Sequence, residues 1–216
     1  MFIGHFAVAL GAKKAEPRVP LAAWLVAAFG LDVLWPLFLV SGLETVRIVP
    51  GITAFTPLDF VSYPWSHSLL MSVAWGVVAG LIASRVWPGP RTFALVAAAV
   101  VSHWVLDYVT HRPDLPLWPG GPLMGLGLWN SVPGTLIIEG LMFAAAVVVY
   151  SRAFPERDSA GRWGLVVMLM LVTFMWSTGP FSPPPPSVDA VMWMCLALVP
   201  ILAIWAVWIE RHRGRR

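Results

Sequence analysis

A single cysteine, Cys195, among 216 residues excludes an intramolecular disulfide and a thiolate metal cluster. Charge is scarce too: 12% of the residues are charged against 58% hydrophobic, and the mean hydropathy is +0.77, which excludes an ordinary water-soluble domain. An internal repeat, a glycine-rich phosphate loop and a nucleophile-elbow serine motif are all missing, and with them the enzyme classes they mark. No long polar linker divides the chain, so one membrane domain is expected over 1–216, with the chemistry in 1–140 and additional transmembrane helices in 141–216.

What fills the sequence instead is a series of apolar stretches long enough, or nearly so, to cross a bilayer. They run from Leu21 to Leu43, Ser68 to Trp87, Thr92 to Tyr108, Gly134 to Tyr150, Trp163 to Thr178 and Val188 to Ile209. These predict an all-α polytopic bundle of about six spans; two are short for a hydrocarbon core of about 30 Å, which calls for tilting, extension into loops or partial embedding. Lys13, Lys14, Arg18, Arg85, Arg91, Arg152, Arg157 and Arg162 fall at alternate loops together with the terminal arginines, whereas the other loops hold only Arg47 and Arg112. The positive-inside rule then puts both termini in the cytoplasm. The net charge of +3 and pI near 9.5 come largely from Arg211, Arg213, Arg215 and Arg216, a run that follows an apolar segment and suits anionic headgroups better than nucleic acid. The lipid bilayer is therefore the expected partner and no nucleic acid is; composition leaves the oligomeric state open.

The tryptophans Trp65, Trp87, Trp118, Trp129, Trp163, Trp176 and Trp208 gather near span ends, as headgroup anchors do. Four prolines between Ser182 and Ser187 make a stiff, non-helical turn. In Met1 to Gly11 the lysines follow the apolar stretch, the wrong order for a cleaved signal peptide, so retention is expected.

Chemistry concentrates in the first half, which holds His5, His67, His103 and His111 with Asp32, Asp107 and Asp114. Within the spans the acids are Asp32, Asp107 and Glu139, and a carboxylate in hydrocarbon costs several kcal/mol unless partnered, so each marks a functional position. On a helix His103, Asp107 and His111 recur at i, i+4 and i+8, along one face about 12 Å long. Imidazole and carboxylate one turn apart suit a divalent metal, with zinc expected. The alternative is plain packing: His103 on a backbone carbonyl and Asp107 paired with Arg112. The predicted topology brings His67, His103, Asp107, Glu139 and Asp32 to the outer half of the bundle, with Gly30 and Pro36 available to break the first span. His5 joins them if Phe2 to Gly11 is a short half-helix reaching about 15 Å into the membrane, the alternative being an interfacial helix that leaves His5 exposed. The run Gly125 to Asn130 is read as an interfacial turn anchored by Trp129, or else as a lid carrying Trp129 and Asn130 over the site.

In order along the chain, Gly4-His5, Leu31-Asp32-Val33 before Pro36, Ser66-His67-Ser68, Ser102-His103 with Asp107 four residues on, and Leu115-Pro116-Leu117-Trp118-Pro119 resemble the YdjM-like membrane-bound metal-dependent hydrolases over residues 1–140. That family is distantly similar to the zinc-dependent phospholipase C and nuclease group. The resemblance implies a phosphoester or lipid-like substrate and makes His5, Asp32, His67, His103 and Asp107 metal ligands. Leu34 and Trp35 stand where the family often repeats an acid and a histidine, and His111, Glu139 and Asp114 are the groups available to rebuild a second site. In a hydrolase, Asp114 or Glu139 would take the proton and Arg112 would hold the substrate's anionic oxygens. Two other classes use the same residues: a transporter or metal-binding membrane protein without hydrolysis, and a structural protein whose polar cluster only joins helices.

Overall fold

The computed structural model describes residues 1–214; Arg215 and Arg216 of the terminal arginine run lie outside the described residues. Nine α-helices dominate the described chain: α1 (Ile3–Ala15), α2 (Leu21–Ala28), α3 (Gly30–Val40), α4 (Pro64–His67), α5 (Leu69–Val86), α6 (Thr92–Thr110), α7 (Val132–Ala153), α8 (Ser159–Thr178) and α9 (Val188–Arg211). Five of them are long and apolar enough to cross a membrane, and α2 with α3 makes a sixth span bent by 51° at its break. The expected bundle is thus observed, with the short spans lengthened at their ends: α6 continues to Thr110, α7 begins at Val132 and α8 at Ser159.

Two elements depart from a plain bundle. Between α3 and α4 the chain forms an antiparallel hairpin of β1 (Thr45–Ile48) and β2 (Leu58–Ser62). A two-residue pair, β3 (Leu115–Pro116) with β4 (Leu123–Met124), follows α6. The alternating Thr-Val-Arg-Ile segment is short enough to escape a search for spans, yet its β-branched residues favour a half-covered strand.

Helix α1 lies inside the bundle against α7, α2 and α6. Being apolar nearly all round, it buries Ile3, Phe6, Ala7, Ala9 and Leu10. Its polar end is stitched down: Lys13 donates to the carbonyls of Pro17 and Val19 at 2.9 and 3.0 Å and pairs with Glu210 at 2.6 Å. Glu210 also accepts from the first amide of α2, Leu21, at 2.8 Å. The half-helix therefore runs from the bundle interior to the end that carries the basic loops, as the sequence suggests.

Helices α5 and α6 approach closely because Ser72, Gly76 and Gly80 repeat every four residues on one buried face of α5. A Cβ at Gly76 would lie 2.9 Å from the carbonyl oxygen of Ala97, and one at Gly80 2.8 Å from that of Phe93. Only hydrogen fits there. This tight pair delivers the start of α5 and the end of α6 to the same end of the bundle.

Candidate metal centre

The break between α2 and α3 is the first device that builds the site. It ends one helix at Ala28 and starts another at Gly30, placing Asp32 in the first turn of α3, where the partial positive charge of a helix N-terminus favours a carboxylate. It also bares the carbonyl of Ala28. That oxygen accepts a hydrogen bond from Nδ1 of His103 at 2.8 Å, across from α6. A carbonyl cannot donate, so Nδ1 carries a proton, and Nε2 is the nitrogen left to present a lone pair to a cation when the ring is neutral.

His67 is held by a different relay with the same outcome. Its Nδ1 lies 2.7 Å from Oγ of Ser66, and that hydroxyl donates to Oε2 of Glu44 at 2.7 Å. Glu44 is fixed in turn by the amides of Trp65 and Ser66, at 2.8 and 2.7 Å on Oε1. Burial pushes the Glu44 carboxyl up from its ordinary value, against the pull of the Ser66 and Trp65 hydrogen bonds. The third ring, His111, has Nδ1 3.0 Å from Oδ1 of Asp114, and the Tyr63 hydroxyl donates to the same oxygen at 2.9 Å. Desolvation and the Asp114 charge raise the Tyr63 phenol well above its usual range, so it stays a donor.

All three rings thus turn Nε2 toward one carboxylate, Asp107. The distances to its Oδ2 are 3.1 Å from His103, 3.9 Å from His67 and 3.9 Å from His111. Asp32 closes the figure, its Oδ1 lying 3.6 Å from Nε2 of both His67 and His103. With metal-donor lengths of about 2.0–2.2 Å, donors around a tetrahedral zinc ion stand roughly 3.4 Å apart, and these separations bracket that value. The donor set fits a divalent cation on a second count: Nε2 of His103 is fully buried and has no hydrogen-bond partner among the described residues. Two overlapping groups satisfy the spacing needed for a shared ion: Asp32, His67 and His103, and His5, His103 and Asp107.

His5 enters this second group from α1. It is 1% exposed, its Nε2 is 3.1 Å from Oδ1 of Asp107, and its ring stacks on that of His103 with centroids 3.7 Å apart. The amino group of Met1 also reaches Oδ1 of Asp107. Of the polar cluster only Asp32 opens outward, with its side chain 33% exposed while those of His5, His67, His103, Asp107 and His111 are at most 4% exposed.

Other residues named from the sequence serve neighbouring tasks. Glu139 is 0% exposed and its Oε2 accepts from the amide of Gly4 at 3.4 Å, so it caps the buried start of α1 and sets the depth of His5. Arg112 does not pair with Asp107; its Nε bonds Asp114 at 3.1 Å and its Nη2 bonds Asp59. Asp114 is thereby shared between Arg112, His111 and Tyr63. The Gly125–Asn130 run straps the end of α6, with Leu126 N on Tyr108 O at 2.8 Å and Gly127 N on His111 O at 2.7 Å. Its Trp129 ring lies 4.4 Å from that of His111, and Phe55 donates to the Trp129 carbonyl at 3.0 Å.

The residues that sequence reading missed are those orienting the rings: Glu44, Ser66 and Tyr63. Ser66 stood in the quoted Ser-His-Ser triplet without a role. Glu44 offered one signal, a lone acid between an apolar span and an alternating strand.

The family model of the YdjM inner membrane protein matches residues 1–180, beyond the 1–140 read from motifs and through the whole of α8. No curated protein matches the chain, and no solved structure does.

Proposed function

We propose that this chain, which belongs to the YdjM inner membrane protein family and is a multi-pass membrane protein, is a metal-dependent hydrolase of a phosphoester or lipid-like substrate. Asp32, His67, His103 and Asp107 would hold a divalent cation, zinc by the nitrogen and oxygen donor mixture. His5 is the further ligand from α1. The observation that carries this reading is the common orientation of His67, His103 and His111: each Nδ1 is committed to a separate acceptor, and each Nε2 faces Asp107. Structural packing of histidines gives no reason for three independent relays to agree.

A bound cation supplies Lewis acidity, making water more acidic and polarising a phosphoryl oxygen. The protein supplies the rest. His111 falls outside both three-residue groups that share ligand spacing, and its Nε2, backed by Asp114 on Nδ1, is the base that takes a proton at the edge of the site. Asp114 therefore acts through His111 as a positioning residue. Asp32, the exposed member of the cluster, marks the side from which substrate enters. Arg112, 34% exposed, is the cation beside that base for the substrate's anionic oxygens.

The basic loops lie at the opposite end of the bundle from the histidines, so the positive-inside rule favours a site in the outer half of the membrane, with the Lys13 end of α1 and the C-terminal end of α9 on the cytoplasmic side. Met1 itself is buried beside Asp107, which departs from the cytoplasmic N-terminus expected from the sequence. One-sided access separates a hydrolase from a transporter, and beneath the cluster Phe6 and Leu10 of α1 belong to the same packed core as Trp24 and Phe143. The test is metal analysis of detergent-purified protein, wild type beside His103→Ala and Asp107→Asn, followed by turnover of a generic phosphodiester. Wild type should carry stoichiometric metal and both variants should lose it. Equal, negligible metal in all three removes the metal centre. Metal without turnover leaves the ion and removes the hydrolase.

A further inference from the structure

At the end of the bundle away from the histidines, a pocket of about 370 Å³ is lined by Lys13, Arg18, Tyr150, Arg157, Glu210 and Arg213 among others. Four cations and one carboxylate line it; Glu210 is engaged by Lys13, and from outside the lining Glu16 pairs with Arg18 at 3.2 Å and Glu156 with Arg213 at 3.7 Å, so Arg157 is the cation left to an incoming anion. Arg157 has no carboxylate partner among the described residues. Tyr150 is 1% exposed and its hydroxyl has no hydrogen-bond partner among them. A cationic pocket with a buried, unpaired hydroxyl in its wall is complementary to an anion that accepts hydrogen bonds.

A second feature adjoins it. The same corner of the chain continues from Pro17 and Arg18, in the pocket, to Val19 and Pro20, which line an apolar groove of about 710 Å³. That groove runs between α2 with α3 and α5, along Ala23, Val26, Ile82 and Leu34, with Trp87 near its basic end. Arg18 joins the two: its side chain is 58% exposed, its Nε rests on Glu16 at 3.2 Å and its Nη1 donates to the Pro88 carbonyl at 2.9 Å, next to Trp87, which leaves Nη2 for an anion. Headgroup-sized positive pocket and acyl-sized apolar groove meet at one residue.

We propose that pocket and groove together hold one anionic phospholipid, its phosphodiester against Arg18 and Arg157 and one acyl chain between α2 and α5. The site is independent of the metal centre: eight residues of α1, about 12 Å, separate His5 from Lys13. It would tie the two half-helices α1 and α2 to the leaflet where the basic loops gather. A lipid so bound is a resident of the fold, not a substrate.

Native mass spectrometry of the full chain in detergent tests this with dioleoyl phosphatidylglycerol, dioleoyl phosphatidylcholine and inorganic phosphate as separate probes. Wild type should retain phosphatidylglycerol in preference to phosphatidylcholine. The double variant Arg18→Ala, Arg157→Ala, whose side chains are exposed, should lose that preference by roughly 30-fold while keeping the melting temperature of the wild type within a few degrees. Ala23→Trp, which fills the groove, should weaken both lipids alike. Equal retention of the two lipids by wild type, or an unchanged preference in the double variant, overturns the proposal. Inorganic phosphate bound as tightly as phosphatidylglycerol also overturns it, in favour of a soluble anion.

Discussion

Replacing Ser66 by alanine removes one oxygen that is not itself a proposed metal ligand, and yet it should weaken metal binding. In the folded protein Ser66 Oγ accepts from Nδ1 of His67 and donates to Glu44, both at 2.7 Å, and the whole relay is buried. Alanine leaves the imidazole N–H unpaired and frees the ring to rotate or change tautomer, turning the lone pair at Nε2 away from Asp32 and Asp107. Loss of such a supporting partner typically costs 10–100-fold in metal affinity, or about 1.4–2.7 kcal/mol. That agrees with the roughly 1–3 kcal/mol expected for stranding a buried polar group. Competition of purified protein against a chromophoric zinc chelator would read the affinity, with Ser66→Thr as a control that keeps the hydroxyl. The expected order is wild type, then Thr, then Ala weaker by 10–100-fold, with the apo proteins melting within a few degrees of one another. An alanine variant that binds metal like wild type, while His103→Ala does not bind at all, would refute the claim that the relay orients the ring.

Glu139→Gln keeps an acceptor for the Gly4 amide, so metal content and melting temperature should stay near wild type; Glu139→Ala should cost about 1–3 kcal/mol in stability and loosen His5. Loss of turnover in a well-folded, metal-loaded Glu139→Gln would instead show that the carboxylate moves a proton. Gly125 sits at φ +155°, and a Cβ there would lie 2.2 Å from the Arg112 carbonyl oxygen and 2.5 Å from that of His111. Gly125→Ala should therefore displace the end of α6 and lower turnover more than metal content, measured side by side. Asp158 caps α8 through the Gly161 amide and pairs with His212 at 2.8 Å; the His212 hydrogen bond, then that of Gly161, hold its carboxyl below the ordinary aspartate value. A depressed folded value means stability present above the unfolded one and lost as pH falls through the folded one. Asp158→Ala should thus lower the melting temperature at neutral pH and flatten its fall in acid, and equal acid sensitivity in both proteins would count against the cap.

Spans were legible because they depend on composition alone: Leu69–Val86 and Val188–Arg211 lie within two residues of the stretches read from hydropathy. The first span was legible as apolar, and Gly30 and Pro36 marked it as breakable, but the position of the break depends on the groups that receive its freed ends. Only the packing of α6 reveals that His103 takes the Ala28 carbonyl. The site residues His67, His103, Asp107 and Asp32 were readable as charges and rings in hydrocarbon, where each demands a partner. Glu44 and Tyr63 were not, since a loop carboxylate and a loop phenol carry no such penalty until a hairpin folds them inward. The choice between pairing Asp107 with Arg112 and gathering histidines around it rested on a distance no local pattern encodes.

The bend at Phe29 makes one ring of the histidine cluster depend on where a short helix ends. Helix α2 has eight residues, about 12 Å of rise, and its last carbonyl is what fixes the His103 ring. A mismatched hydrocarbon layer is accommodated by tilting or kinking of spans or by deforming the bilayer, and any movement of α2 would shift that oxygen relative to α6. Lipid chain length would then act on the orientation of the His103 ring, and through it on the proposed cation site, with no ligand entering the pocket.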